Sequence, residues 1–372
     1  MNKNTITLGR VLGIPIGLDP SWFLIFVLIT WTLASSYFPG EFKNWPTAQY
    51  WIVGAVTAIL FFTSVALHEL GHSILALRYK IPVTSITLYI FGGIARIASE
   101  PPSAVAEFFI ALAGPLTSFA LAVLFSLLER FSTSVAPVYA MVKYLAYING
   151  SLALFNLIPG FPLDGGRIFR AIVWGISRNL RRATEIAAAI GRVVAYLFIL
   201  FGVWQILQGY WANGLWIAFI GWFLENAAVG QVRQQRMHDL LAGHSVAQAM
   251  SHSCATVPAN LPLQELVDRH FLGEGHRCLM VTRGDEITGL LTLHHIREVP
   301  RERWGTVTAG EVMTPLSQMK HISPEIGLEA ALEEMGIDGV NQLPVMSDGQ
   351  IEGMLSREDI INYLRTLQKL GM

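Results

Sequence analysis

Charge is what this 372-residue chain has least of. Asp, Glu, Lys and Arg make up 14% of it, against about 25% in an ordinary soluble domain. Cysteine is scarce as well. The two present, Cys254 and Cys278, share no metal-ligand spacing. That argues against a disulfide framework or a cysteine-bound zinc module and leaves buried thiols in a reducing compartment. The formal net charge is −1, so a nucleic-acid partner has no electrostatic support. A cleavable signal peptide is not expected either. Lys3 and Arg10 precede a stretch broken by Gly and Pro, and no small-residue cleavage site follows the first apolar run. That run reads as a retained helix.

What the chain has is apolar sequence, 52% of its residues, gathered before about residue 230, while the charges gather after it. This predicts a polytopic α-helical membrane domain over 1–230, a polar connecting stretch over 231–243 and a soluble α/β part over 244–372. Six spans fit, each of roughly 20 residues, near 22–37, 51–77, 105–128, 138–158, 193–211 and 214–229. Asp19-Pro20 suits the start of the first, and Gly114-Pro115 is expected to kink the third. With the N-terminus in the cytoplasm, the inner segments hold Arg78, Lys80, Arg96, Arg167, Arg170, Arg181, Arg182 and Arg192 among others. The outer side holds only Lys43, Arg130 and Lys143. That bias obeys the positive-inside rule, so both termini of a multi-pass protein of the cell membrane are expected to be cytoplasmic. The β-branched segment Val83–Ile97, with Gly92-Gly93, predicts one or two short strands at the inner surface; an ordered loop is the alternative.

The chemistry-bearing motif is His68-Glu69-Leu70-Gly71-His72, inside a run in which residues 52–67 carry no charge. On a helix, i and i+4 share a face, so the two imidazoles can hold one metal ion with Glu69 beside them. Ionisable groups at membrane depth mark functional sites by default. Catalytic zinc takes three protein ligands and a water. The candidate third ligand is Asp164, on the Pro- and Gly-rich stretch Asn156–Arg167; a surface turn capped by Asp164 is the alternative. Zinc lowers the pKa of a coordinated water towards about 7, and Glu69 is the expected general base. Asn149 and Asn156 share a face of the fourth span. Either is an oxyanion donor or an interhelical hydrogen-bonding group. Glu225 and Asn226 are given no catalytic role.

These residues resemble the site-2 proteases, a family of intramembrane zinc metalloproteases. The matching elements are His68–His72, Gly92-Gly93, Ala113-Gly114-Pro115 and Asn156–Arg167 with Asp164, covering roughly residues 10–230. The resemblance implies one Zn2+ held by His68, His72 and Asp164, with Glu69 as base. It also implies single-span membrane proteins as substrates, in regulated intramembrane proteolysis. One departure is that many relatives carry Asn at position 118 or 119, where this chain has Ser118 and Phe119. A substrate helix must unwind before cleavage, and an extended peptide can pair with a strand edge within 83–97.

Residues 244–368 read as two copies of one unit, about 244–300 and 307–368. Val246–Ser251 aligns with Ala309–Thr314, and Gly289–Ile296 with Gly353–Ile360, at an offset of about 64. The pattern resembles a tandem CBS domain. That implies adenine-nucleotide binding (ATP or AMP), with Ser356 and Asp359 contacting ribose, and a homodimer through the pair. The first copy has Thr292 but His295 where Asp is expected, so at most one well-formed nucleotide site is predicted. The competing role for Ser356 is a helix cap. The eight histidines in or beside this part (His238, His244, His252, His270, His276, His294, His295 and His321) are scattered and read as surface residues. The rival readings are a CBS-regulated transporter or channel and an inactive metal-binding scaffold. The His-Glu motif with the downstream Asp-Gly-Gly opposes the first, and the intact Glu69 opposes the second.

Overall fold

The computed structural model describes residues 5–370, apart from 91, 98–99, 252–254, 277, 285 and 348–349. Cys254 and His252 lie outside the described residues. The chain forms two units, Met1–Gln235 and Arg236–Met372.

The first unit opens with a hairpin that the sequence pattern does not announce, β1 (Ile6–Val11) and β2 (Ile14–Leu18). Next come α1 (Ser21–Thr32), a π-helical turn at Leu33–Tyr37 and α2 (Phe38–Glu41), together long enough to span a bilayer. The longest helix is α3 (Thr47–Arg78). At 1.5 Å per residue its 32 residues reach about 48 Å, more than the roughly 30 Å hydrocarbon layer. Polar side chains inside α3 are satisfied locally: Thr57, Ser64 and Ser73 donate to the carbonyls four residues back, as a low-dielectric setting requires.

The segment after α3 forms two strands, β3 (Val83–Tyr89) and β4 (Gly92–Ile97). The sheet order is β1-β2-β3-β4. Strand β2 pairs with β3 in parallel, Ile16 opposite Ile86 and Leu18 opposite Leu88. Parallel neighbours need a crossover, and α1 to α3 supply it. Leu18 and Leu88 are buried together with Phe62 and Val65 of α3, which fixes the sheet against the helix that carries the His-Glu motif. Strand β3 is therefore internal, and the edge strands of this sheet are β1 and β4.

Helix α4 (Ala104–Phe131) starts at Ser103, whose hydroxyl accepts from Ala106 N. It runs unbroken through Pro115. Helix α5 (Ala136–Asn156) follows. Helix α6 (Asp164–Ser177) is not expected from sequence, where Gly165-Gly166 reads as a turn. The fifth span, α7, begins at Leu180, well before residue 193: its first turns carry Arg181, Arg182, Glu185 and Arg192, which hide the helix from a hydropathy reading. The last span, α8, covers Trp211–Leu241, so most of the polar stretch 231–243 is helical and continues that span. Gly202 of α7 and Gly214 of α8 meet backbone to backbone, the close approach that small residues give membrane helices. Among the described residues, six helices are long and apolar enough to cross a membrane.

The second unit contains α9 (Val246–Ala249), β5 (Ala255–Pro258), α10 (Leu263–Glu265) and a π-helix over Leu266–Gly273. It continues through β6 (Cys278–Arg283), β7 (Glu286–Thr292) and α11 (Leu293–Arg297). Then come α12 (Ala309–Val312), β8 (Thr314–Pro315), α13 (Leu328–Asp338), β9 (Gln342–Ser347), β10 (Gln350–Ser356) and α14 (Arg357–Leu370). The two copies exchange their lead segments. Ser251, from the first, bridges Met354 of β10, and Val246 is buried among Ile322, Leu328 and Leu355 of the second. In return β8 pairs with β7, and Ala309 is buried among Leu263, Leu279 and Leu291 of the first. A βαββα unit leaves part of its core open, and here each copy's core is completed by the other's lead.

Candidate metal centre

Helix α3 brings His68 and His72 onto one face, each about 4% exposed. Asp164 is the first residue of α6, where helix-end N–H groups favour a carboxylate. Its Oδ2 lies 3.0 Å from His68 Nε2 and 3.3 Å from His72 Nε2, and the two Nε2 atoms are 3.2 Å apart. Asp164 thus belongs to a helix start beside the histidines.

Helix α4 orients both imidazoles from behind. His72 Nδ1 donates to the Ile110 carbonyl at 2.7 Å, and His68 Nδ1 is hydrogen-bonded to Ser118 Oγ at 2.8 Å. Because a carbonyl only accepts, a neutral His72 carries its proton on Nδ1 and turns a lone pair at Nε2 towards His68 and Asp164. That lone pair and the Asp164 carboxylate oxygen, 3.3 Å apart, repel one another unless a positive charge sits between them. The donor set of two imidazoles and one carboxylate therefore fits zinc, and the Nδ1 partners are the outer contacts that such ligands use. Ser118 supplies one of them. Gly114 explains the Ala-Gly-Pro element. A Cβ there would overlap His72 Nε2 and press on His68 Nε2, so only glycine lets α4 pass this close.

Glu69 faces the sheet. Ala95 N, on the free edge of β4, donates to Glu69 Oε2 at 3.1 Å. Gly93 lies flat against the Glu69 side chain, where a Cβ would overlap Cγ, and this gives the Gly92-Gly93 element a reason.

The other expected residues are placed differently. Asn149 is fully buried and donates to Leu145 O (2.8 Å) and Ser64 Oγ (3.3 Å), the interhelical arrangement. Asn156 ends α5, half-buried, with no side-chain hydrogen bond among the described residues. Ser356 and Asp359 form a cap: Ser356 N donates to Asp359 Oδ2 (2.9 Å) and Asp359 N to Ser356 Oγ (3.1 Å). In the first copy His295 takes the same place, accepting at Nδ1 from Thr292 N (3.2 Å).

One feature is invisible in the sequence. Glu107 of α4, fully buried, accepts from Arg170 Nε of α6 at 2.6 Å and also from Nη2, while the guanidinium lies 5.3 Å from the Phe161 ring. Sequence reads Arg170 only as an inner positive charge. The two residues stand 63 positions apart, beyond any local pattern.

Residues 56–136 and 128–200 match the model of peptidase family M50, and residues 246–302 and 309–366 match the CBS domain. A Mycobacterium tuberculosis protein named as zinc metalloprotease Rip3 is 36% identical over 97% of this chain and 93% of its own length. A Synechocystis zinc metalloprotease, sll0528, is 33% identical over 98% of this chain and 96% of its own. The solved site-2 protease from Methanocaldococcus jannaschii covers 61% of this chain and 95% of its own at 32% identity, with a TM-score of 0.45.

Proposed function

The chain belongs to peptidase family M50, the site-2 type of zinc metalloprotease, joined to a CBS pair, and from that membership we propose that it hydrolyses peptide bonds in the transmembrane segments of single-span membrane proteins. The observation that carries this reading is the meeting of His68, His72 and Asp164 within 4.8 Å of one another, at the foot of a helix made to lie in lipid. These three residues would hold the zinc, which when bound supplies Lewis acidity and an acidified water. Glu69 takes the proton from the attacking water at its carboxylate and hands it to the amide nitrogen as the C–N bond breaks. Helix α4 keeps both imidazoles aligned through Ile110 O and Ser118 Oγ, and the burial of both rings limits the access of bulk water.

Zinc content tests the ligand set. His68→Ala is expected to lower bound zinc from about one per chain at this centre to near zero and to abolish cleavage. Full zinc retention at the centre would refute the assignment.

Substrate is added as a strand on β4, not on β3, because β3 is already paired on both sides. The free β4 edge runs past Glu69, so an unwound segment laid along it passes the base. Ile94, which is exposed, reports on this. In a Glu69→Gln protein lacking its native cysteines, Ile94→Cys is expected to form disulfides with single-cysteine substrates. The yield should alternate every second substrate position, the period of a strand. Uniform or absent cross-linking would exclude strand addition there.

Both termini lie in the cytoplasm, a reading supported by the density of Arg and Lys on one set of loops. Adenine nucleotide binds the second CBS copy at Ser356 and Asp359 and changes substrate access. To do so it must favour one conformational state over another. Asp359→Ala is expected to weaken ATP or AMP binding about tenfold, the loss of one charge-assisted hydrogen bond worth roughly 1.4 kcal/mol. Cleavage rates that are equal with and without nucleotide would rule out regulation by it.

A further inference from the structure

The stretch from the start of the helix after β5 to the next strand is longer by one residue in the first CBS copy than in the second, although the helical segments Leu263–Gly273 and Leu328–Asp338 are equally long. Fifteen positions separate Leu263 from Cys278 at the start of β6, and fourteen separate Leu328 from Gln342 at the start of β9. The two starts are equivalent, since Pro262 bridges Thr308 just as Gly327 bridges Ser245. Within that stretch the first copy is π-helical over Leu266–Gly273, where the second copy keeps a regular α-helix. Such π-helical segments are rare and are frequent at functional sites. The core shows the shift directly. Inward residues run from Leu263 to Phe271 in the first copy, eight apart, but from Leu328 to Met335 in the second, seven apart.

The shift turns His270 away from the core and towards the loop that follows. Glu274 N bonds to Arg269 O at 3.0 Å, an i to i−5 closure. Gly275 then takes φ +73°, in the left-handed region, and His276 N returns to His270 O at 3.0 Å. The doubled-back chain places one carboxylate oxygen between two imidazoles. Glu274 Oε2 is 2.8 Å from His270 Nδ1 and 3.2 Å from His276 Nε2. Arg269 Nε lies 3.9 Å from the other oxygen, Oε1.

We propose that His270, Glu274 and His276 form a second metal site, for a divalent transition cation such as Zn2+, on the first CBS copy. Ligand atoms from the three lie within 4.8 Å of one another. A cation that bonds at roughly 2.0–2.2 Å keeps its donors roughly 3 Å apart, close to the spacing found. Two imidazoles and a carboxylate suit zinc, nickel or copper and exclude magnesium and calcium as preferred ions. Their side chains are 14%, 43% and 31% exposed in chain order, so the ion exchanges with solution. The second copy has no histidine between Leu328 and Gln342, so the site is single.

Zinc titration of the full-length chain in detergent, in competition with a chromophoric chelator, tests this. Wild type is expected to bind two ions. His276→Ala and Glu274→Gln should each weaken one binding step at least tenfold while cleavage persists, and His68→Ala should remove the other step alone. Thermal unfolding checks that the surface variants fold, with His276→Gln as the smaller change. Unaltered stoichiometry and affinity in His276→Ala and Glu274→Gln would overturn the site, whatever His68→Ala does.

Discussion

Glu69→Gln is expected to slow cleavage of a single-span substrate by roughly 10²- to 10⁴-fold, the usual contribution of a positioned acid–base group. Bound zinc should stay at the wild-type level. The substitution keeps size and the oxygen that accepts from Ala95 N, so β4 remains seated. It removes the ability to take a proton from water and return it to the leaving nitrogen. His68, His72 and Asp164 are untouched, which is why metal content and turnover should separate. A turnover assay beside a zinc measurement decides the matter. A variant keeping more than a tenth of wild-type turnover shows that Glu69 is not the base, and one that loses zinc as well shows that Glu69 supports the metal site.

Arg170→Met is expected to be the most destabilising single change in the helical unit. It strands the Glu107 carboxylate in a buried position where its Oε2 already has no hydrogen-bond partner, and breaking such a pair costs about 3–5 kcal/mol. The effect reaches the metal centre by a short route. Helix α6 begins with Asp164 and carries Arg170 less than two turns later, while α4 holds Glu107 as well as the groups behind both imidazoles. The pair therefore ties the aspartate to the helix that aligns the histidines. A lower unfolding midpoint in detergent and weaker zinc retention are expected together. Glu107→Leu with Arg170→Met should restore most of the midpoint, since an apolar replacement of both partners removes the stranded charge. Wild-type behaviour of Arg170→Met would mean the ion pair carries no structural weight.

The His-Glu motif is legible in the sequence because ionisable side chains are costly in an apolar run unless they bind something. The repeat is legible because equivalent residues recur at one offset. The spans can be read where hydropathy alone defines them. The start of α7 cannot, since helix continues through charged turns that hydropathy discounts. Strand β1 is hidden for another reason: Ile6–Val11 is exposed along its whole length, so no alternation of burial marks it. Asp164 stands out by its irregular surroundings, yet its place at a helix start depends on how Gly165-Gly166 packs, which no local rule gives. The Glu107–Arg170 pair and the cluster around Glu274 are tertiary meetings. In the second case three residues look like scattered surface groups in the sequence, and a π-helical turn with a doubled-back loop brings them together.

The exchange of lead segments in the CBS pair has a consequence for how that region comes apart. Cutting the connection near residue 305 would leave two pieces that still complete each other, whereas either piece expressed by itself would present an unfilled hydrophobic gap. Melting is then a shared event, and an ion or nucleotide held by one half steadies the other.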